Sequence, residues 1–138
     1  MIMRLGDHFQ QTKKKYHNTF FSGICFDHRK IKKNYIFFAI KGNNLDGNNF
    51  IPSVIKKGCK IIVTEKNFDE WKNGVLFINT KNIRKLLAQI SFSIFKKKPN
   101  NLIAVTGTNG KSSVSDFYYQ ILRLNNKKVA SIGTLGVR

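Results

Sequence analysis

Four apolar runs divide the first two thirds of the chain, and polar, turn-rich connections separate them. Each run is rich in aromatic and β-branched residues and has the length of a buried strand, so we predict strands at 21–26, 35–40, 60–64 and 75–79. Pro52 and Gly58 bound a short predicted helix, and apolar residues recur at helical spacing from Ile83 to Ile94. This alternation predicts a small α/β domain.

The remaining segments before residue 98 are polar. Residues 1–19 carry few apolar positions and a lysine run, which predicts a short amphipathic lead-in followed by a loop. The polar composition of DHRKIKKN at 27–34 predicts a turn. The glycine, asparagine and aspartate residues of KGNNLDGNNF at 41–50 predict a loop. Because the second loop follows a predicted strand, it is a candidate for ligand binding.

Pro99, Asn100 and Asn101 interrupt the pattern and begin a second one. An apolar run at 102–105 predicts a strand, the spacing of apolar residues from Val114 to Leu122 predicts a helix, and 128–132 predicts another strand. We therefore predict an N-terminal domain at 1–98 and the beginning of a second domain at 99–138. One strand, loop, helix and strand cannot close a doubly wound sheet, so the second domain is expected to be incomplete.

The junction between the strand at 102–105 and the following helix reads TGTNGKSS. Backbone N–H groups and the helix dipole at such a junction attract a polyphosphate, and the two glycines let the backbone approach it closely. Lys111 is the candidate catalytic residue, placed to reach the β and γ phosphates, and the Ser112 hydroxyl is the candidate Mg²⁺ ligand. The predicted ATP-binding residues are Gly107, Thr108, Asn109, Gly110, Lys111, Ser112 and Ser113. This GxxGKS motif is shorter than GxxxxGK[ST], and its alternative interpretation is a glycine turn with an exposed lysine.

The net charge of +18 over 138 residues raises the possibility of a nucleic-acid partner. The positive charge is almost all lysine and is scattered along the chain, and abundant asparagine, isoleucine and phenylalanine accompany it, as an AT-rich coding bias would produce. Recognition of phosphates favours arginine. We expect no nucleic-acid partner, with a lysine-rich nucleic-acid-binding protein as the alternative.

The composition also bears on location. The longest apolar run, 35–40, is too short to span a bilayer, and MIMRLGDHF at the start lacks the apolar segment of a secretory signal. We expect a cytoplasmic protein without a membrane partner. Cys25 and Cys59 have no metal-ligand spacing and are predicted to be reduced thiols.

Three stretches together resemble the Mur ligases, which use ATP to add amino acids to the peptidoglycan precursor. VTGTNGKSS is similar to that family's TGTNGKTT, and FDHRKIKKNYIFFAIKGNNLDGNNFI resembles its N-terminal pattern with DSR, GDLF and GxxxDGxxFI. SIGTLG resembles a strand-end motif of the member that adds the third amino acid. The resemblance implies a small N-terminal α/β substrate domain followed by the start of a P-loop-containing, mostly parallel central ATPase domain.

The same resemblance implies the chemistry. ATP and Mg²⁺ would convert a carboxylate of UDP-MurNAc-L-Ala-D-Glu to an acyl phosphate, which the amine of meso-diaminopimelate, or alternatively lysine, would attack. The N-terminal domain would hold the uridine end of the substrate through Phe26, His28, Asn43, Asn44 and Leu45. A monomer is expected.

The chain departs from the family pattern at several points. His28 stands where the family usually has serine, and Ser112 and Ser113 replace threonines. The family's carbamylated lysine, its other metal ligands and its amino-acid pocket have no counterpart in residues 1–138, so we expect this chain alone to lack ligase activity. The alternatives are a related ligase such as a folylpolyglutamate synthase, and an inactive truncated product.

Overall fold

The contacts within the chain divide it into two units, Met1–Lys97 and Lys98–Arg138. The structure is a computed structural model and describes residues 2–95 and 97–138. Its strands are β1 Met3–Arg4, β2 Phe20–Phe21, β3 Gly23–Cys25, β4 Tyr35–Phe38, β5 Ile61–Thr64, β6 Trp71–Lys72, β7 Val75–Asn79, β8 Ile132–Gly133 and β9 Gly136–Val137. Its α-helices are α1 Ile51–Lys56, α2 Ile83–Ile94 and α3 Lys111–Leu124.

The first unit is built on a five-stranded sheet with the order β3-β4-β5-β7-β6. The four strands from β3 to β7 are parallel, and the short β6 pairs antiparallel with β7 at the edge. The predicted α/β class is therefore confirmed for this unit, and its sheet is mostly parallel. The sequence analysis missed β6, because its two residues lie within the polar stretch before Val75.

Both faces of the central strands are buried, and the register explains how. Ile36, Ile61 and Leu76 lie side by side and point to one face, while Phe37, Ile62 and Phe77 form the next row on the opposite face. Helix α2 and the lead-in cover the first face, and α1 covers the second. Strands buried on both faces read as continuous apolar runs, which is the pattern seen in the sequence.

The two predicted helices of the first unit are confirmed. Pro52 lies in the first turn of α1, and Gly58 follows that helix in the left-handed conformation. Helix α2 begins at the Asn82 cap, whose side chain accepts a hydrogen bond from the Lys85 N–H. It ends at Ile94, short of the lysine run at 96–98 in which the sequence pattern predicts its end. No helix within the described residues is long and apolar enough to cross a membrane.

The lead-in contributes to the core, which the sequence analysis did not predict. Leu5 and Phe9 are fully buried, and the Phe9 ring packs edge-on against Phe21 at a centroid distance of 6.2 Å. Strand β1 pairs with β2, and the Leu5 N–H donates to the Thr19 carbonyl at 2.8 Å. These bonds close the segment on itself, and the Phe9 ring also packs against Phe38 of β4 at a centroid distance of 6.4 Å, which holds the segment against the sheet. The segment folds as two short 3₁₀ turns, Leu5–Asp7 and Lys14–Tyr16, and so gives no helical or strand periodicity in the sequence.

The second unit contains a helix and a hairpin. Helix α3 matches its prediction, but the strands predicted at 102–105 and 128–132 are wrong: residues 101–107 carry no strand, and the later region forms the hairpin of β8 and β9 instead. A strand buried on both faces needs a neighbour along its edge. The two predicted strands do not pair with each other, and Leu102 and Ile103 are exposed.

We expect Phe9→Ala to lower the free energy of unfolding of the first unit by about 3 kcal/mol, because it empties a fully buried ring site. Urea unfolding followed by the fluorescence of Trp71, the single tryptophan, measures this loss. Phe20→Ala is the matched control: that ring is exposed, and the change should cost less than about 1 kcal/mol. Equal losses from the two substitutions would contradict the assignment of the lead-in to the core.

Candidate functional site

The carboxyl ends of the parallel strands meet at one edge of the sheet. The turn 26–29 follows β3 at this edge, and the loop 41–50 follows β4. Open parallel sheets bind ligands outside this edge. The fold therefore brings the two segments that the sequence analysis assigned to substrate binding to neighbouring positions.

The turn after β3 is held by a charge pair. The Asp27 carboxylate accepts hydrogen bonds from the Arg29 backbone N–H at 3.0 Å and from the Arg29 guanidinium at 2.8 Å and 3.0 Å. These bonds hold the pKa of the Asp27 carboxyl well below its usual range. Lys57 Nζ donates to the His28 carbonyl at 2.9 Å. The turn is thus fixed, and Phe26 is exposed on it.

A ring contact joins the turn to the following loop. His28 stacks on Phe50 with the ring centroids 3.8 Å apart and the planes 5° from parallel. Phe50 is the last residue of the 3₁₀ turn Gly47–Phe50, which ends the loop after β4. His28 therefore has a packing partner in the fold.

The loop 41–50 is closed at its base. Lys41 and Asp46 form an isolated antiparallel bridge, and the Gly42 N–H donates to the Leu45 carbonyl at 2.8 Å. Gly47 packs against the chain just after β4, where a Cβ would lie 2.6 Å from the Ile40 carbonyl oxygen. The closed base leaves the three candidate residues of the loop exposed, Asn43, Asn44 and Leu45.

Asp46 is the centre of the polar contacts beneath the loop. Its carboxylate accepts hydrogen bonds from the Asn48 backbone N–H at 2.8 Å and from Asn48 Nδ2 at 2.7 Å, and it pairs with Lys66 Nζ at 3.3 Å. The Asn48 hydrogen bonds, followed by the Lys66 charge, lower the pKa of the Asp46 carboxyl. Asp46 also caps the 3₁₀ turn that follows it.

The glycine-rich loop of the second unit precedes α3. Gly107 and Gly110 have φ values of +149° and +75°, a region that favours glycine, and Gly110 is the N-cap of α3 with no side-chain hydrogen bond to the first helical turn. Gly110 therefore provides no side-chain cap for the N–H groups of the first turn of α3. Lys111 Nζ folds back over the loop and donates to the Gly107 and Thr108 carbonyls.

The remaining residues of this loop are exposed, among them Thr108, Asn109 and Ser113. The Ser112 hydroxyl lies 2.9 Å from the Thr134 hydroxyl in the turn between β8 and β9. Uncapped backbone donors, two glycines at positive φ, one lysine and an accessible hydroxyl suit a polyphosphate with its Mg²⁺. The described residues contain no cluster of three or more His, Cys, Asp or Glu side chains that could hold a metal by themselves.

Comparison with known protein families decides the classification. The model of the Mur ligase family, described as its catalytic domain, matches residues 21–94, which is more than half of the chain. The chain belongs to the Mur ligase family. The match contains the sheet from β3 to β7 and both segments at its carboxyl edge. The resemblance drawn from the sequence motifs is confirmed.

Curated Mur ligases align beyond that region. A UDP-N-acetylmuramoyl-L-alanyl-D-glutamate–2,6-diaminopimelate ligase from Rickettsia montanensis is 41% identical over 137 residues, covering 99% of this chain and 27% of the relative. Ligases of the same name from Caldanaerobacter subterraneus and Clostridium tetani are 36% and 43% identical, over 96% and 81% of this chain and 28% and 24% of their own lengths. The chain spans about a quarter of the length of these relatives.

Solved structures support the fold. A crystal structure of MurF from Acinetobacter baumannii superimposes with a TM-score of 0.56 and 22% identity, covering 67% of this chain and 21% of that chain. A structure of UDP-N-acetylmuramoylalanyl-D-glutamyl-2,6-diaminopimelate–D-alanyl-D-alanyl ligase from the same organism gives a TM-score of 0.54 at 23% identity over 64% of this chain and 20% of its own length. At this identity the likeness shows a shared Mur ligase fold.

Three residues that support the loop at the carboxyl edge were not predicted from the sequence. Asn48 lies in the second half of the loop 41–50, Thr64 ends β5, and Lys66 follows two residues later. None belongs to a recognisable catalytic motif. The available signals were the Asp-Gly-Asn sequence at 46–48, typical of a capped turn, and a threonine that ends an otherwise apolar strand.

We expect an NMR titration of side-chain carboxyl groups to give Asp46 a pKa below the usual aspartate value. Asn48→Ala should raise this pKa more than Lys66→Ala does, because the Asn48 side-chain hydrogen bond is the largest single contribution to the shift. Since the pKa is lower in the folded state, the contribution to stability is present above the unfolded-state pKa and is lost as the pH falls through the folded-state value. A larger effect from Lys66→Ala, or an unshifted Asp46, would contradict the geometry.

Proposed function

We propose that this chain is the N-terminal portion of an ATP-dependent Mur ligase that adds meso-diaminopimelate to UDP-MurNAc-L-Ala-D-Glu. The observation that carries the proposal is a 41% identical relative of that name, aligned over 99% of the chain. The alignment therefore contains both the carboxyl-edge segments and the glycine-rich loop. The names of these relatives favour this reaction over a folylpolyglutamate synthase-like one.

In this proposal the carboxyl edge of the first unit binds the uridine end of the nucleotide sugar. Phe26 and Leu45 offer exposed apolar surface for the base, and Asn43 and Asn44 offer amide donors and acceptors. The His28 ring stacks on Phe50. The nitrogens of the His28 ring are therefore the polar groups at a position where the family usually has serine. The fixed turn and closed loop support this role, because binding to a preformed site costs little ordering entropy.

The glycine-rich loop is proposed to bind ATP as a substrate, through Gly107, Thr108, Asn109, Gly110, Lys111, Ser112 and Ser113. Lys111 would place its ammonium group on the transferring phosphate, and Ser112 would ligate Mg²⁺, which neutralises the phosphate oxygens when bound. The Lys111 ammonium already lies over the loop through its bonds to two loop carbonyls.

The proposed reaction forms an amide by way of an acyl phosphate. Phosphorylation makes the substrate carboxylate a better electrophile, and the amine of the amino acid then displaces phosphate. Negative charge spreads over the transferring oxygens in the first step, and a fixed positive charge stabilises it. We propose that the protein acts as a cytoplasmic monomer without a nucleic-acid or membrane partner.

A chimera tests the assignment of Lys111. The chain replaces the matching quarter of the Rickettsia montanensis ligase, and amide formation is measured with ATP, Mg²⁺, UDP-MurNAc-L-Ala-D-Glu and meso-diaminopimelate. We expect the chimera to be active and Lys111→Ala to lower its turnover by about 100-fold or more, because the charge on the transferring phosphate is lost.

Lys128→Ala serves as the control, because Lys128 is an exposed lysine outside the loop, and it should leave turnover unchanged. Nucleotide-sugar affinity should be the same in all three chimeras, since the two sites use different segments. Undiminished turnover in the Lys111→Ala chimera would refute the role of the loop. Salt-dependent binding of the chain to random DNA, without affinity for the nucleotide sugar, would favour the nucleic-acid alternative.

A further inference from the structure

Thr64 is an unusual residue in the core of the first unit. It ends β5 at the carboxyl edge of the sheet, and it is the one buried polar or charged residue among those that the structure describes. It has no access to solvent, so it cannot contact a ligand at the edge. A buried hydroxyl is costly unless it is hydrogen-bonded.

The Thr64 hydroxyl has two hydrogen-bond partners. Its Oγ1 donates to Asn48 Oδ1 at 2.7 Å and accepts from the Lys66 backbone N–H at 3.0 Å. The hydroxyl therefore donates to the loop that follows β4 and accepts from the segment that follows β5.

These two bonds determine the orientation of the Asn48 amide. With its oxygen on the Thr64 hydroxyl, its nitrogen donates to Asp46 Oδ1 at 2.7 Å and more weakly to the Ala39 carbonyl at 3.4 Å. In the reversed orientation the Asn48 NH₂ group would face the Thr64 hydroxyl, which already accepts from the Lys66 N–H. The Asn48 oxygen would then face the Asp46 carboxylate, and two acceptors cannot form a hydrogen bond. Only the observed orientation lets the Asp46 carboxylate accept from the Asn48 side-chain amide, in addition to its bonds with the Asn48 backbone N–H and Lys66.

The network acts on both segments proposed to bind the nucleotide sugar. Asp46 forms the bridge with Lys41 that closes the loop carrying Asn43, Asn44 and Leu45. Two residues after Asn48, Phe50 stacks on His28. The Thr64 hydroxyl is thus connected to the base of the loop through the Asn48 and Asp46 side chains. The backbone from Asn48 to Phe50 connects it to the ring that stacks on His28 in the turn after β3.

We propose that Thr64 is a positioning residue for nucleotide-sugar binding, which holds the loop 41–50 in its binding conformation through Asn48 and Asp46. The proposal rests on the proposed function for the identity of the ligand. The position of Thr64 in the fold makes a direct contact impossible, so its effect on affinity must come through the loop.

The test substitution is Thr64→Val, which keeps the shape of the side chain and removes the hydroxyl. It leaves Asn48 Oδ1 and the Lys66 N–H without this partner. We expect the dissociation constant of UDP-MurNAc-L-Ala-D-Glu for the 138-residue chain, measured by calorimetry well below the unfolding temperature, to rise about tenfold. Thr64→Ser restores the hydroxyl and should return the dissociation constant to within about twofold of the original.

Thr12→Val is the matched control. The Thr12 hydroxyl donates to the Phe9 carbonyl at 2.8 Å in the lead-in, outside the carboxyl-edge network, so its loss removes a comparable bond. The control should leave affinity unchanged. Equal affinity of the Thr64→Val and original chains, an equal loss in the Thr12→Val chain, or failure of Thr64→Ser to restore binding would each overturn the proposal.

A second measurement does not depend on the ligand. Hydrogen exchange of the Gly42 and Gly47 amides reports the loop directly, because these groups donate to the Leu45 and Ile40 carbonyls. Thr64→Val should speed both exchange rates by about tenfold, while the Ile62 and Phe77 amides of the central strands keep theirs. If the original chain does not bind the nucleotide sugar, the proposed function fails, and the exchange rates still decide whether Thr64 positions the loop.

Discussion

The parallel pairing of β4 with β5 and of β5 with β7 is the interaction on which the first unit depends. Its register places rows of apolar side chains on both faces, so each strand is stable only when α2 and the lead-in cover one face and α1 covers the other. Parallel pairing also brings the carboxyl ends of the strands to one edge. The turn after β3 and the loop after β4 become neighbours for this reason, although residues 30–40 separate them in sequence.

The polar groups at that edge follow from the same constraint. Polar groups that are buried at the strand ends, such as the Thr64 hydroxyl, must find their hydrogen-bond partners within the protein. Gly47 allows the loop to pack against Ile40, and Asp46, Asn48 and Thr64 supply donors and acceptors to one another. Three side chains on the outward side of the loop, Asn43, Asn44 and Leu45, are exposed and accessible to a ligand.

Much of the first unit could be predicted because the signals for its central strands and helices lie in short stretches of sequence. Apolar runs give the central strands, Pro52 and Gly58 give α1, and helical spacing gives α2. Phe9 escaped prediction because it is buried by contacts with Phe21 and Phe38, which are distant in sequence. Thr64 and Asn48 escaped prediction for the same reason, since the bond between them joins the end of β5 to the loop after β4. The strands predicted at 102–105 and 128–132 are wrong for a related reason. An apolar run forms a strand only where a neighbouring strand pairs with it, and that neighbour cannot be read from the run itself.

Binding of the uridine end of a nucleotide sugar at the carboxyl edge of the first unit can be tested by an NMR titration of the 138-residue chain with UDP-MurNAc-L-Ala-D-Glu. We expect the largest amide shift changes to fall in 26–29 and 41–50, with the α2 amides nearly unchanged. Shift changes confined to other regions, or none at saturating ligand, would contradict it.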